Sequence, residues 1–223
     1  MTRFIQDPDS HGSLKDLQIL VNNKKEILDA KISEWKGERV RVESVSPMKA
    51  DEYAEYTDSD FLAKLGIESQ VKHPSVNFWP RNGPQWDALG RSGENLYLVE
   101  AKANIPELVS PPTGAGEVSK SQIIDSLSEV KEYLNINDAV DWTGKFYQYT
   151  NRIAHLYYLR VMNGFKVHLL FIYFVNDLDV KGPSSIEEWR GAIQIMENYL
   201  GISKHHKLKR YIGEFFVEVS ALR

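Results

Sequence analysis

With 223 residues, 42% hydrophobic and 26% charged, the composition is that of an ordinary globular protein long enough for one full domain, with or without helical additions. A net charge of −4 argues against a broad, constitutive phosphate-binding surface, although bound cations can neutralise an acidic pocket before substrate arrives. The lack of cysteine excludes disulfides and cysteine-ligated zinc, and fits a reducing cytoplasm.

Residues 1–7 hold no apolar core of signal-peptide length. Helical spacing then runs from about Leu14 to Trp35, carried by Leu17, Leu20, Val21, Ile27, Leu28 and Ile32, with Ser13 as N-cap and Gly37 as stop. Residues 39–45 alternate between Arg39, Arg41, Glu43 and Val40, Val42, Val45, which predicts a short strand or extended connector. A short helix is expected over 58–66, and loop with a short strand over 74–84. Two adjacent strands follow, from Pro84 to Gly90 and from Asn95 to Lys102, joined through the turn residues of 90–95. The Pro- and Gly-rich stretch 110–116 is the clearest long loop, readable as a lid over the strand ends or as a plain surface connection. Helices are expected over 119–134, 142–162 and 184–199, a central strand over 167–175, and an edge or closing strand over 211–219. The central strand is the best apolar run in the chain, but its nine residues include His168 and fall far short of a membrane span. No repeat or low-complexity segment divides the sequence. A single domain over 1–223 is expected, with a core of about 14–177 and a helix–strand addition at 184–220.

The side-chain period of two places Leu96, Leu98, Glu100 and Lys102 on one strand face, and Tyr97, Val99 and Ala101 on the other. An apolar strand that ends by pointing Glu and Lys the same way is costly to bury without a partner. Asp87 stands at the end of the preceding strand. Two carboxylates and a lysine converging there offer what a divalent metal and its water need; the plain alternative is a surface ion pair. The acid-x-Lys spacing itself is common here, recurring at Asp29/Lys31, Glu34/Lys36, Glu129/Lys131 and Asp179/Lys181. Only Glu100/Lys102 closes a strand and has a second acid beside it.

On the helix expected over 142–162, Gln148, Asn151, Arg152 and His155 fall within an arc of roughly 100°. Solvated helix faces usually carry Lys and Glu. This set instead suits a semi-buried cleft wall, with Arg152 as the natural cation for phosphate or carboxylate. Elsewhere, the basic run 204–210 with His205 and His206 reads as a solvated loop that could touch phosphate. Asp51, Glu52 and Glu55 read as solvent-facing acids, one of which could reach a metal. Gly114 and Gly116 lack the third glycine of a dinucleotide fingerprint, and the histidines lack zincin spacing.

Asp87, twelve residues, then Glu100-Ala101-Lys102 on an apolar strand resembles the PD-(D/E)XK, or restriction-endonuclease-like, nuclease superfamily. The wider string from Phe78-Trp79-Pro80 to Ala103, and Tyr147-Gln148-Tyr149-Thr150-Asn151-Arg152 followed by the strand at 169–174, are similar to uncharacterised bacterial members. The resemblance spans roughly residues 75–177. It implies an α/β fold: a mixed central sheet of four to five strands flanked by helices, in α-β-β-β-α-β order. It implies Mg²⁺ (or Mn²⁺) bound by Asp87 and Glu100 with the carbonyl of Ala101, and Lys102 serving the attacking water. A glutamate of the first helix often completes the metal shell in that superfamily; Glu26 is the best placed here, with Glu34 and Asp29 competing. Trp86 departs from the proline that precedes the first acid in the family pattern. The expected function is a Mg²⁺-dependent nuclease on DNA or RNA, with nucleic acid as partner, no membrane, and homodimerisation open. The alternative is a catalytically inactive descendant that keeps the fold as a binding or assembly module.

Overall fold

Alternating side chains sort this chain into two hydrophobic cores, one on each face of a five-stranded sheet. The computed structural model describes residues 2–223, so only residue 1 of the N-terminal stretch lies outside it. The strands are β1 (Arg3–Phe4), β2 (Glu43–Ser46), β3 (Glu55–Tyr56), β4 (Ala88–Ser92), β5 (Asn95–Lys102), β6 (Lys166–Val175) and β7 (Ile212–Glu218). The main sheet has the order β2-β4-β5-β6-β7, while β1 and β3 form a separate antiparallel pair. Pairing is antiparallel from β2 to β5 and parallel from β5 to β7. The sheet is therefore mixed and helix-flanked, as expected of the α/β class.

Leu96 and Leu98 of β5 join Leu169, Phe171 and Tyr173 of β6 in one core, covered by α5 (Glu117–Leu134), α6 (Tyr147–Tyr157) and α7 (Ile186–Tyr199). Tyr97, Val99 and Ala101 face the other core, covered by α1 (Gly12–Asn23) and α2 (Lys25–Lys36). Two small helices, α3 (Asp58–Lys64) and α4 (Ser75–Phe78), pack against the first core. Gly93, at φ 56°, supplies the positive φ of the tight β4–β5 turn. Gly90 lets the segment entering β2 approach β4, because a Cβ there would lie 2.5 Å from Val42 Cγ1.

Several expected elements differ. The helix over 14–35 is two helices broken at Lys24, and its N-cap is His11 rather than Ser13. Apolar spacing carries across the break, but Asn22 turns its amide to the carbonyl of Pro47 at 2.8 Å and accepts from the N–H of Lys49, which re-aims the chain. The stretch 39–45, expected as a short strand or extended connector, is connector up to Val42 and strand from Glu43. Before it, the N–H groups of Val40 and Val42 donate to Ser33 Oγ and Asp29 Oδ1 of α2 instead of to a neighbouring strand. Residues 74–84 contain the single helical turn α4 and no strand. The helix expected from 142 begins at Tyr147, because Asp141 ties residues 141–143 into a turn, and it ends in a π-helical turn over Tyr158–Met162. No helix among the described residues is long and apolar enough to cross a membrane.

Candidate active site

Asp87 lies between the Tyr56–Trp86 bridge and the first residue of β4. The β4–β5 ladder ends at Ala88 and Val99, so the N–H of Ala101 has no strand partner and donates to Asp87 Oδ2 at 2.8 Å. In a strand the N–H and C=O of one residue project to the same side. The Ala101 carbonyl thus faces the same open edge.

Glu100 and Lys102 point together from the face of β5 opposite the Ala101 side chain, toward α6. Glu100 is 1% exposed and both its oxygens are taken: Oε1 by the Lys102 ammonium and Oε2 by Arg152 Nε at 2.6 Å. Lys102 also donates to Gln148 Oε1 at 2.8 Å. Arg152 donates further to Asn151 Oδ1 at 2.8 Å and to the carbonyl of Gln85 at 2.7 Å, with its guanidinium 4.9 Å from the Trp86 ring centre. Gln85 in turn donates its amide to Glu55 Oε2. Gln148 and Arg152 are four residues apart on α6, so one helix face holds both cations that meet Glu100.

Burial and charge set these groups apart from their ordinary titration. Burial works to raise the Glu100 carboxyl, but Arg152 and Lys102 outweigh it and hold it below the usual range. Burial likewise works against the Lys102 ammonium, and Glu100 and Asp87 more than compensate, keeping it charged. Asp87 is pushed up to about 7, first by burial and then by the Glu100 charge. Glu55, buried in β3, is pushed up to about 8 by burial and by Asp87. Three acids thus feel one another, and two of them remain under-compensated by the cations present.

An open groove of about 690 Å³ exposes this cluster. Asp87, Ala101 and Lys102 form its floor, Gln148, Asn151 and Arg152 one wall, and the Pro-rich segment 110–114 the facing rim. The charged lining residues are Asp87 and Glu107 against Lys102 and Arg152, so the groove is formally neutral. The loop expected to follow the site does border it.

Glu26 stands apart from this cluster. It is exposed at the start of α2, which covers the sheet face opposite Glu100 and Lys102, and it makes no hydrogen bond or ion pair among the described residues. Glu55, rather than Glu26, is the further acid beside Asp87, and its burial corrects the reading of Glu55 as solvent-facing. Gln85, which links Glu55 to Arg152, had no sequence signal beyond its place in the Pro84–Asp87 string. His155 points away from the carboxylates into a neighbouring cleft, packed among the rings of Trp79, Trp86, Phe78 and Tyr158. In the basic run, His206 is buried and Lys209 pairs with Glu214 and Glu197, so only part of that run is solvated.

The donor set suits a hard, oxygen-seeking divalent cation. Asp87 Oδ1 and Glu55 Oε1 accept no hydrogen bond among the described residues; burial and then neighbouring carboxylate charge raise both acids, and a bound cation relieves that charge. Glu100 has no such vacancy until Lys102 or Arg152 releases an oxygen. Among the described residues, no three His, Cys, Asp or Glu side chains are already grouped as a metal cage. No protein-family model matches this chain, and neither a curated protein nor a solved structure does.

Proposed function

We propose that the chain is a divalent-cation-dependent phosphodiesterase acting on nucleic acid, built on a restriction-endonuclease-like fold. The observation that carries this reading is the convergence of Asp87 and Lys102 at the floor of an open groove, with Asp87 pinned by the Ala101 N–H and the buried Glu100 paired to Lys102. With α2, β3, α3, α4 and α5 set aside as additions, the order α1, β2, β4, β5, α6, β6 and the change from antiparallel to parallel pairing support the fold expected from the resemblance.

In this reading Asp87, Glu100, Glu55 and the Ala101 carbonyl would hold Mg²⁺ or Mn²⁺. When bound, such an ion supplies positive charge to the phosphoryl oxygens and acidity to a water. Lys102 keeps its proton at Nζ and places a fixed positive charge where negative charge develops on phosphorus-bound oxygen. Gln148 fixes the Lys102 ammonium, and Arg152 fixes Glu100 while tying it to Gln85.

The locked state of Glu100 favours a second reading, a binding or assembly module in which the same residues form an internal ion cluster. Cleavage of labelled single- and double-stranded DNA and RNA with Mg²⁺ or Mn²⁺ separates the two. The hydrolase reading expects cleavage that falls by about 100-fold or more in Asp87→Ala and Lys102→Ala. No cleavage of any of these substrates, or cleavage indifferent to both substitutions, would leave the module.

A further inference from the structure

Beside the groove, across Gly83, lies a second cleft of about 460 Å³, within the range of pockets that take a small organic ligand (about 300–1,000 Å³). Gly83 belongs to the lining of both. The cleft is built rather than incidental. Its aromatic walls are Phe61, Trp79 and Tyr158, and the loop at its mouth is held by Asp58, which accepts from the N–H groups of Asn82 and Gly83 at 3.1 and 2.9 Å.

His155 lines the base of this cleft and is only 5% exposed. Its Nδ1 meets the carbonyl of Asn151 at 2.9 Å; a carbonyl can only accept, so Nδ1 carries the proton. Burial among the rings pushes the imidazole down to about 3, so the ring is neutral and Nε2 is a bare acceptor. That atom has no partner among the described residues, and it lies 3.5 Å from where a Cβ on Gly83 would stand. The accessible Nε2 is left with its lone pair open to the cleft, so the cleft is complementary to a ligand that brings an N–H. At the rim, exposed Arg81 makes no ion pair or hydrogen bond among the described residues and is free to meet an anion.

We infer that this cleft binds a nucleotide unit, its base walled by the aromatic rings and donating an N–H to His155 Nε2, its phosphate met by Arg81. The inference deepens the phosphodiesterase reading and rests on it for its meaning: the cleft would hold the nucleotide flanking the phosphate in the groove. A base can enter only when unstacked, so the substrate class is single-stranded or locally unpaired nucleic acid. Nδ1 protonation also explains why His155, chosen from sequence as a groove-lining residue, does not reach the carboxylates: its ring is held to its own helix.

The test is calorimetric titration of the full chain, in chelator, with the four 5′-mononucleotides, followed by comparison of AMP with purine riboside 5′-monophosphate, which lacks the exocyclic N–H donor. Saturable binding is expected, weakened by about 10-fold when the donor is absent. His155→Phe should erase that difference, and Arg81→Ala should weaken both ligands alike. Gly83→Val, at a surface loop position with no positive φ, should block the mouth and abolish binding while leaving the circular dichroism spectrum unchanged. No binding of any mononucleotide, equal affinity with and without the donor, or binding untouched by Gly83→Val would each overturn the inference. Asp87→Asn should leave nucleotide binding intact. Retained nucleotide binding with no metal binding or hydrolysis would therefore remove the phosphodiesterase reading and leave the cleft standing.

Discussion

Replacing Glu55 by glutamine isolates the electrostatic cost of the acidic cluster. Glu55 is 4% exposed and pushed up to about 8, mainly by burial and then by the Asp87 charge. In the unfolded chain the same carboxyl titrates at about 4.3. Between those two values the folded protein holds a proton that the unfolded chain has released, so stability falls as pH rises through that window. The linkage relation puts the loss at the order of a few kcal/mol, with about 5 kcal/mol as its upper bound. Glutamine keeps the shape and a carbonyl oxygen for the Gln85 amide, and it does not titrate. For a chain of this length each kcal/mol moves Tm by about 2–4 °C, so wild type should lose about 5–10 °C relative to Glu55→Gln between about pH 5 and pH 9. Thermal unfolding followed by circular dichroism in chelator measures this. Parallel Tm profiles for the two proteins would refute the argument that Glu55 is buried beside Asp87.

Arg152→Met removes the bonds to Glu100, Asn151 and Gln85 and leaves Glu100 buried with Lys102 alone, at a cost of about 3–5 kcal/mol in urea unfolding. Adding Glu100→Gln should recover at least about 1 kcal/mol of that loss, because the two groups are coupled. Gln148→Leu removes the acceptor that fixes Lys102; stability should drop by about 1 kcal/mol, while any cleavage rate drops about 10-fold with little change in KM. Gly90→Ala should cost about 1–3 kcal/mol by driving a methyl into Val42, and the cost should shrink in a Val42→Ala background.

Much of the sheet was legible because its signal is local. The period of two across 95–102 placed Glu100 and Lys102 on one face, and the turn residues around Gly93 joined β4 to β5. The spacing on α6 brought Gln148, Asn151 and Arg152 to one wall. Glu55 was misread because β3 has two residues, too few for any period, and is fixed by distant partners: Arg3 and Phe4 in β1, and Trp86 through an isolated bridge. His155 shares the polar face of its helix, yet its environment is set by rings from residues 78, 79 and 86, which helical spacing cannot register. The break at Lys24 is hidden for a similar reason, since the bonds that turn the chain come from Pro47 and Lys49.

The most direct test of the central claim is titration of Mg²⁺ and Mn²⁺ into the metal-free protein by calorimetry at about pH 8, where Asp87, raised to about 7, is largely ionised. Wild type is run beside Asp87→Ala and Glu100→Ala. The account predicts saturable binding in wild type, lost in both variants. Absence of binding in wild type, repeated with a nucleic acid strand present, would contradict it, as would binding that survives both substitutions.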